Sequence, residues 1–290
     1  MKDLMTSFLR SMNARLVGEE RWIVQKFYKV FYALSVVLYK NSAKPSSPAW
    51  IVIGNFDRDV KIKIDRSRSI GAAIYWTGFH EFHELLFLNR FLTRDMVFAD
   101  VGANLGEYTL FAAKRVKNGK VLSFEPMPKM TALLQENIKL NGFQNVRVMN
   151  YGLSDKEATL PIHEIEGADD GLSTFFIGDL KSRGTTEASL KALDAVAGEL
   201  GIQRIDFIKM DIEGAELYAL RGAVNTIRKY RPTMMVEINS HSYKSAGYSV
   251  EDIFKFFSDL SYQAYEIKKQ GELVPLNSIP QFKNVVFRPS

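Results

Sequence analysis

The chain of 290 residues contains no cysteine. Disulfides, thiolate nucleophiles and cysteine metal sites are therefore excluded, and nothing follows about redox compartment. A membrane-spanning helix needs about 20 apolar residues with few charges. The best candidate, Trp22–Tyr39, is 18 residues long and is interrupted by Lys26 and Lys29. It also lacks a small-residue cleavage site at the right distance, so it does not read as a signal peptide. Net charge is missing from most of the chain. Residues 1–50 hold eight basic and three acidic residues, which accounts for the whole formal charge of +5, and residues 51–290 are balanced. A nucleic-acid enzyme needs a basic surface to hold phosphates. With that surface and any Asn-Pro-Pro-Tyr-type base-binding motif absent, no nucleic-acid partner is expected.

What is present is a globular composition, 46% hydrophobic and 24% charged, on a chain long enough to bury a large core. Three regions are expected. Residues 1–48 form a helical extension closed by the linker Lys44-Pro-Ser-Ser-Pro48. Its residues 20–40 suit a helix packed on the main domain or on a second copy, or a helix lying on an anionic membrane. Cytoplasmic location is the default, with membrane association resting on that one helix. Residues 49–95 form a cap: a hairpin of Trp50–Gly54 and Val60–Ile64, then a helix over Tyr75–Leu92 with His80, Glu81 and His83 in an exposed first turn.

Residues 96–290 form the main domain, and Met96–Ala113 (MVFADVGANLGEYTLFAA) organises it. An apolar strand ends in Asp100, a turn carries Gly102 and Gly106, and a helix follows. This is the arrangement that holds a nucleotide-like ligand at the carboxyl edge of a parallel sheet. A G-x-G-x-x-G loop offers backbone N–H groups to a diphosphate. Here Asn104 replaces the middle glycine and Asp100 would repel an anion, which argues against a nicotinamide oxidoreductase. An acid at this place suits a cationic ligand such as the ammonium and sulfonium of S-adenosylmethionine.

Further strands are expected at Lys120–Glu125, Val146–Asn150, Ile205–Met210, Thr233–Ile238, Tyr262–Ile267 and Asn284–Arg288. Helices over 129–141, 190–200, 215–228 and from Ser249 alternate with them, and Thr159–Gly184 reads as an irregular polar lid. The economical fold is α/β: a doubly wound, mostly parallel sheet of seven strands with helices on both faces. Glu125 stands where such folds bind ribose hydroxyls, and the Tyr151–Asp155 turn where a loop flanks the base. Asp100, Glu125, Asp211 and Glu237 then stand at four strand ends in step, which an ordinary core does not explain.

Together DVGANLGEYTLFAA, FEPMP, NYGLSD, FIKMDIEGAE and RPTMMVEIN resemble the FkbM family of S-adenosylmethionine-dependent methyltransferases, over roughly Gly78–Asn239. The resemblance implies a class I methyltransferase fold and a bound methyl donor. It implies that Asp100, Gly102, Asn104 and Gly106 line the methionine end, Glu125 holds the ribose, Gly152 and Leu153 lie near adenine, and Asp211 closes the donor site. It also implies O-methylation of a sugar, glycoconjugate or natural-product hydroxyl; a donor-binding subunit without catalysis, or another acceptor class, is the alternative. Candidate catalytic groups are Asp211, Glu213, Glu237 and, outside the resemblance, His241, whose ordinary pKa suits a general base. Asp211, Glu237 and Asn239 form an oxygen-rich set able to hold Mg²⁺.

Overall fold

The computed structural model describes residues 2–16, 33–40, 45, 48–166 and 173–290. Helix α1 (Lys2–Leu16) and helix α2 (residues 33–40) precede a hairpin of β1 (Trp50–Ile53) and β2 (Ile62–Asp65). Most of Trp22–Tyr39 and of the linker after it lies outside the described residues. Among those described, no helix is long and apolar enough to cross a membrane. The inward face of α1 mixes buried Leu9 and Ala14 with buried polar Thr6, Arg10 and Asn13. Arg10 donates to the Tyr75 carbonyl oxygen at 2.6 Å and Asn13 to that of Thr77 at 2.7 Å, while Leu4 is 78% exposed.

The helix expected over Tyr75–Leu92 is two: α3 (Ser69–Thr77) and α4 (Phe82–Phe91). Gly78, at φ +95°, ends the first, and the bend buries Phe79 against Phe56, Phe82 and Phe111. Then come β3 (Val97–Val101), α5 (Glu107–Arg115), β4 (Lys120–Phe124), α6 (Pro128–Asn141) and β5 (Val146–Met149), a βαβαβ alternation whose three strands pair in parallel. Gly142, left-handed at φ +63°, closes α6 as its sequence position implies.

The next stretch departs from expectation. Short β6 (Gly152–Leu153), β7 (Ala158–Ile165), β8 (Ser173–Thr174) and β9 (Ser182–Lys191) build a second sheet in the order β6-β9-β7-β8. The supposed irregular lid is thus an antiparallel arm, paired from Ala158↔Leu190 outward. Much of it is solvent-exposed on both faces, so it carries no apolar alternation to read. Residues 167–172, with Asp169 and Asp170, lie outside the described set. Because Leu190 and Lys191 belong to β9, helix α7 runs only over Leu193–Glu199.

Strand β10 (Phe207–Met210) returns to the main sheet. The helix after it splits at Gly222 into α8 (Glu216–Arg221) and α9 (Val224–Tyr230). Strand β11 (Thr233–Asn239), α10 (Ser240–Ser245), α11 (Val250–Asp259), β12 (Tyr262–Ile267), β13 (Leu273–Pro275) and β14 (Phe282–Pro289) complete the chain. The expected Ser249–Asp252 capping box begins α11.

The main sheet has eight strands, not seven, in the order β13-β12-β14-β11-β10-β3-β4-β5. The extra one, β13, is a three-residue edge strand too short to leave a periodic signature. Strands β5, β4, β3, β10 and β11 are parallel, and β14 runs antiparallel between β11 and β12. Both faces are covered, so consecutive residues enter opposite cores: Phe98, Phe207 and Met235 on the side of the cap and α5, Ala99, Ile208 and Met234 on the other. The cap thereby shares a core with the sheet, and its α3–α4 turn stands over the carboxyl ends of the central strands.

Candidate active site

The site begins with backbone geometry. After β3 the chain turns through Gly102 (φ +80°), Asn104 (φ +49°) and Gly106 (φ +102°). A Cβ on Gly102 would lie 1.9 Å from the Asp211 carbonyl oxygen, so only glycine lets the loops after β3 and β10 touch. Asn104 donates its backbone N–H to Glu125 Oε2 at 2.8 Å, and Met127 donates to Oε1 at 2.9 Å. Glu125 is buried, and burial pushes its pKa up to about 7 against those two hydrogen bonds.

Asp100 is fully buried and does not line the cavity beside this loop. Its Oδ2 accepts the Thr109 hydroxyl at 2.6 Å, and burial raises its pKa. The alternation of β3 turns it toward α5, and its Oδ1 is buried without a hydrogen-bond partner.

The cavity at the carboxyl ends of the strands has a volume of about 500 Å³. One half is walled by Gly102–Leu105, Glu125, Pro126, Gly152 and Leu153, joined by Ile162 of β7 and by Phe175 just after β8. The antiparallel arm thus supplies two apolar walls that the exposed look of its sequence hides. The other half carries His80, Glu81, Tyr108, Lys209, Asp211, Glu213 and Glu237. Glu81 is not in an exposed turn: it accepts the Tyr108 hydroxyl at 2.7 Å and the Asn284 amide of β14. A larger cavity, about 890 Å³, opens at the amino ends of β3 and β4, near Asp95, Gly119 and Arg204. Ligands of open α/β sheets sit at the carboxyl ends, where the polar groups converge here, so the smaller cavity is the candidate site.

Asp211, Glu213 and Glu237 offer carboxylate oxygens all within 4.8 Å of one another. Glu213 reaches the group because it is left-handed at φ +52°, held by the Thr174 hydroxyl on its carbonyl oxygen at 2.8 Å. Burial, then Asp211, pushes Glu213 up to about 8 and Glu237 up to about 11. Glu237 Oε2 is buried without a hydrogen bond. Glu216 accepts the N–H groups of Ile212 and Gly214, each at 2.9 Å, and so fixes the loop that carries Asp211 and Glu213.

Two expected members stand apart. Asn239 Oδ1 accepts the Ser242 N–H and caps α10, so the third oxygen donor beside Asp211 and Glu237 is Glu213 instead. His241 is exposed in the first turn of α10 and does not line the cavity. Lys209 goes unmarked by sequence motifs, although a lone lysine in the apolar run FIKM two positions before Asp211 is its signal. It is 4% exposed and donates to Asp211 Oδ2 at 3.4 Å.

Residues 100–264, which take in the glycine loop, Glu125, Lys209 and all three clustered acids, match the Methyltransferase FkbM domain family. The chain belongs to the FkbM methyltransferase family. Among curated relatives, methyltransferase sdnD of Sordaria araneosa is 31% identical over 152 residues, 42% of this chain and 58% of sdnD. The 2-O-methyltransferase NoeI of Sinorhizobium fredii is 25% identical over 150 residues, 47% of this chain and 61% of NoeI. The hexuronic acid methyltransferase AglP of Haloferax volcanii is 25% identical over 188 residues, 65% of this chain and 69% of AglP. The match to sdnD and to NoeI thus spans less than two thirds of either protein. The FkbM domain accounts for the polar half of the cavity as well as the loop, except for His80 and Glu81 of the cap and Asn284 behind them.

Proposed function

We propose that this chain is an S-adenosylmethionine-dependent O-methyltransferase acting on a hydroxyl of a sugar, glycoconjugate or natural product. The observation that carries the reading is a single cavity with the glycine loop and Glu125 on one side and Asp211, Glu213 and Glu237 on the other. The residues fit the donor. The volume is in the range of small-molecule sites, roughly 300–1,000 Å³. Leu153, Ile162 and Phe175 make an apolar slot for a base, and Glu125 keeps further lone pairs for ribose hydroxyls after accepting two N–H groups. Among the described residues, no arginine lines the cavity that would call for a diphosphate. NoeI, by its name a 2-O-methyltransferase, supports the O-methyl assignment, and AglP supports a carbohydrate acceptor.

When bound, S-adenosylmethionine supplies an electrophilic methyl group on a sulfonium. The remaining work is orientation and proton removal, and this chain's side chains do both. Asp211, paired with Lys209, accepts the proton of the acceptor hydroxyl. Glu213 and Glu237, whose raised pKa values keep them protonated near neutrality, donate hydrogen bonds to acceptor oxygens. The walls contributed by the cap and the antiparallel arm exclude water from the reacting groups.

Calorimetry with S-adenosylmethionine, followed by mass spectrometry of products from a sugar and glycoside panel, tests the proposal. The wild-type chain binds the donor and adds one methyl group to an oxygen. Asp211→Asn keeps the donor Kd within threefold while kcat falls on the order of 10³-fold, the scale of general base catalysis. No donor binding, or full activity of the folded Asp211→Asn variant, refutes it.

A further inference from the structure

Lys209 lies in the middle of β10, a strand whose four residues are all buried. A buried ammonium is kept only where its charge and its three donors are used. Its Nζ donates to the Gly102 carbonyl oxygen at 3.3 Å and to Asp211 Oδ2 at 3.4 Å, and lies 5.0 Å from the centre of the Tyr108 ring. Among the described residues lining the cavity it is the one lysine or arginine, facing Glu81, Asp211, Glu213 and Glu237. Burial disfavours its charge, but Asp211 and Asp100 outweigh that and hold the pKa above the usual lysine range.

The two oxygens it bridges belong to different loops. Gly102 is in the turn after β3, and Asp211 follows β10. These loops already meet through the Asp211 N–H on the Val101 carbonyl oxygen at 3.1 Å. That bond fixes the backbone of Asp211 but not its carboxylate, whose rotation about χ1 and χ2 is restrained by Lys209.

We propose that Lys209 is a positioning residue for methyl transfer: its ammonium ties the carbonyl oxygen of the glycine loop to the Asp211 carboxylate and thereby fixes the acid relative to the donor loop. The inference rests on the methyltransferase reading above. The hydrogen bonds of Lys209 run to the Gly102 carbonyl oxygen and the Asp211 carboxylate, so its loss acts on kcat through Asp211. A lysine that merely neutralised buried acids would instead affect folding and leave the turnover of folded molecules intact.

The test compares Lys209→Met, Lys209→Arg, Asp211→Asn and the double variant Lys209→Met with Asp211→Asn, each checked for folding by circular dichroism. In Lys209→Met, kcat falls about 100-fold, the effect of an ångström-scale misplacement, while donor Kd and acceptor KM stay within threefold. Lys209→Arg, which keeps a charge able to reach both oxygens, recovers at least tenfold of that loss. On the Asp211→Asn background, Lys209→Met costs less than threefold further, because the group it positions is already gone. A folded Lys209→Met with kcat within threefold of wild type overturns the proposal. So does a further tenfold loss in the double variant, a comparison that still decides if Lys209→Met alone does not fold. Wild-type protein without turnover on any hydroxyl acceptor overturns the methyltransferase reading, and this inference with it.

Discussion

Gly102→Ala tests whether contact between the loops after β3 and β10 sets the reaction geometry. Gly102 has φ +80°, and an added Cβ would sit 1.9 Å from the Asp211 carbonyl oxygen and 3.0 Å from Ile212. A left-handed conformation costs an L-residue about 1–2 kcal/mol. The overlap costs more, because ordinary contact with that oxygen requires a separation of about 3.4 Å. The obstacle is backbone, held by Val101 and by the Glu216 bonds to Ile212 and Gly214. The loops must therefore separate by more than an ångström. Misplacement on that scale lowers turnover about 100-fold, or about 2.7 kcal/mol. Gly142→Ala is the control. It has φ +63° but nothing within 4 Å of its added Cβ, so it carries backbone strain without collision. Methyl-transfer rates and thermal melts of the two variants are compared side by side. Gly142→Ala loses a few degrees of Tm and no kcat/KM; Gly102→Ala loses more Tm and about 100-fold of kcat/KM. Equal kcat/KM in both variants would refute the reasoning.

Two further outcomes follow from buried carboxylates. Glu125→Gln turns one oxygen that receives a backbone N–H into an amide donor, leaving Asn104 or Met127 unpaired at a cost of about 1–3 kcal/mol. Calorimetry should read at least tenfold weaker donor binding together with a lowered Tm, and unchanged affinity would remove Glu125 from the donor site. Glu125 and Glu216 are raised to about 7 and Glu107 to about 8, burial being the leading cause in each. In the unfolded chain glutamates titrate near pH 4.3, so from about pH 4.5 to 8 the native state binds more protons than the unfolded one. Stability therefore falls as pH rises through this window. The ligand-free chain should melt at a higher temperature at pH 5 than at pH 8, and a Tm that climbs over this range contradicts the burial of these groups.

The parallel strands and the acids at their ends were legible because both faces of the sheet are buried and four of the five parallel strands are compact apolar runs ending in an acid. Asn104 and Glu213 were legible as residue types but not in conformation: both are left-handed, and one backbone dihedral brings Glu213 to Asp211. The antiparallel arm was not legible, because backbone pairing rather than burial holds its exposed strands together. Asp100 was legible in place but not in contact. Its place at a strand end was visible, but the alternation that turns it to Thr109 depends on where α5 packs. Asn239 and His241 followed an acid-bearing strand end into the candidate set, yet the helix α10 that starts there uses one as its cap and leaves the other in solvent. Glu81 and Asn284 meet across 203 positions of sequence, a contact no local pattern reports.

That last contact fixes the order in which the molecule can be finished. β14 slots between β11 and β12 rather than at a sheet edge, and it brings the amide that holds Glu81. A ribosome delivers the cap, the glycine loop and the clustered acids long before residues 282–289. During that interval β11 has an open edge, an invitation to mispair with another chain. Glu81, meanwhile, lacks one of its two donors. A nascent chain stalled before residues 282–289 thus carries every acid of the cavity while Glu81 still lacks the Asn284 amide.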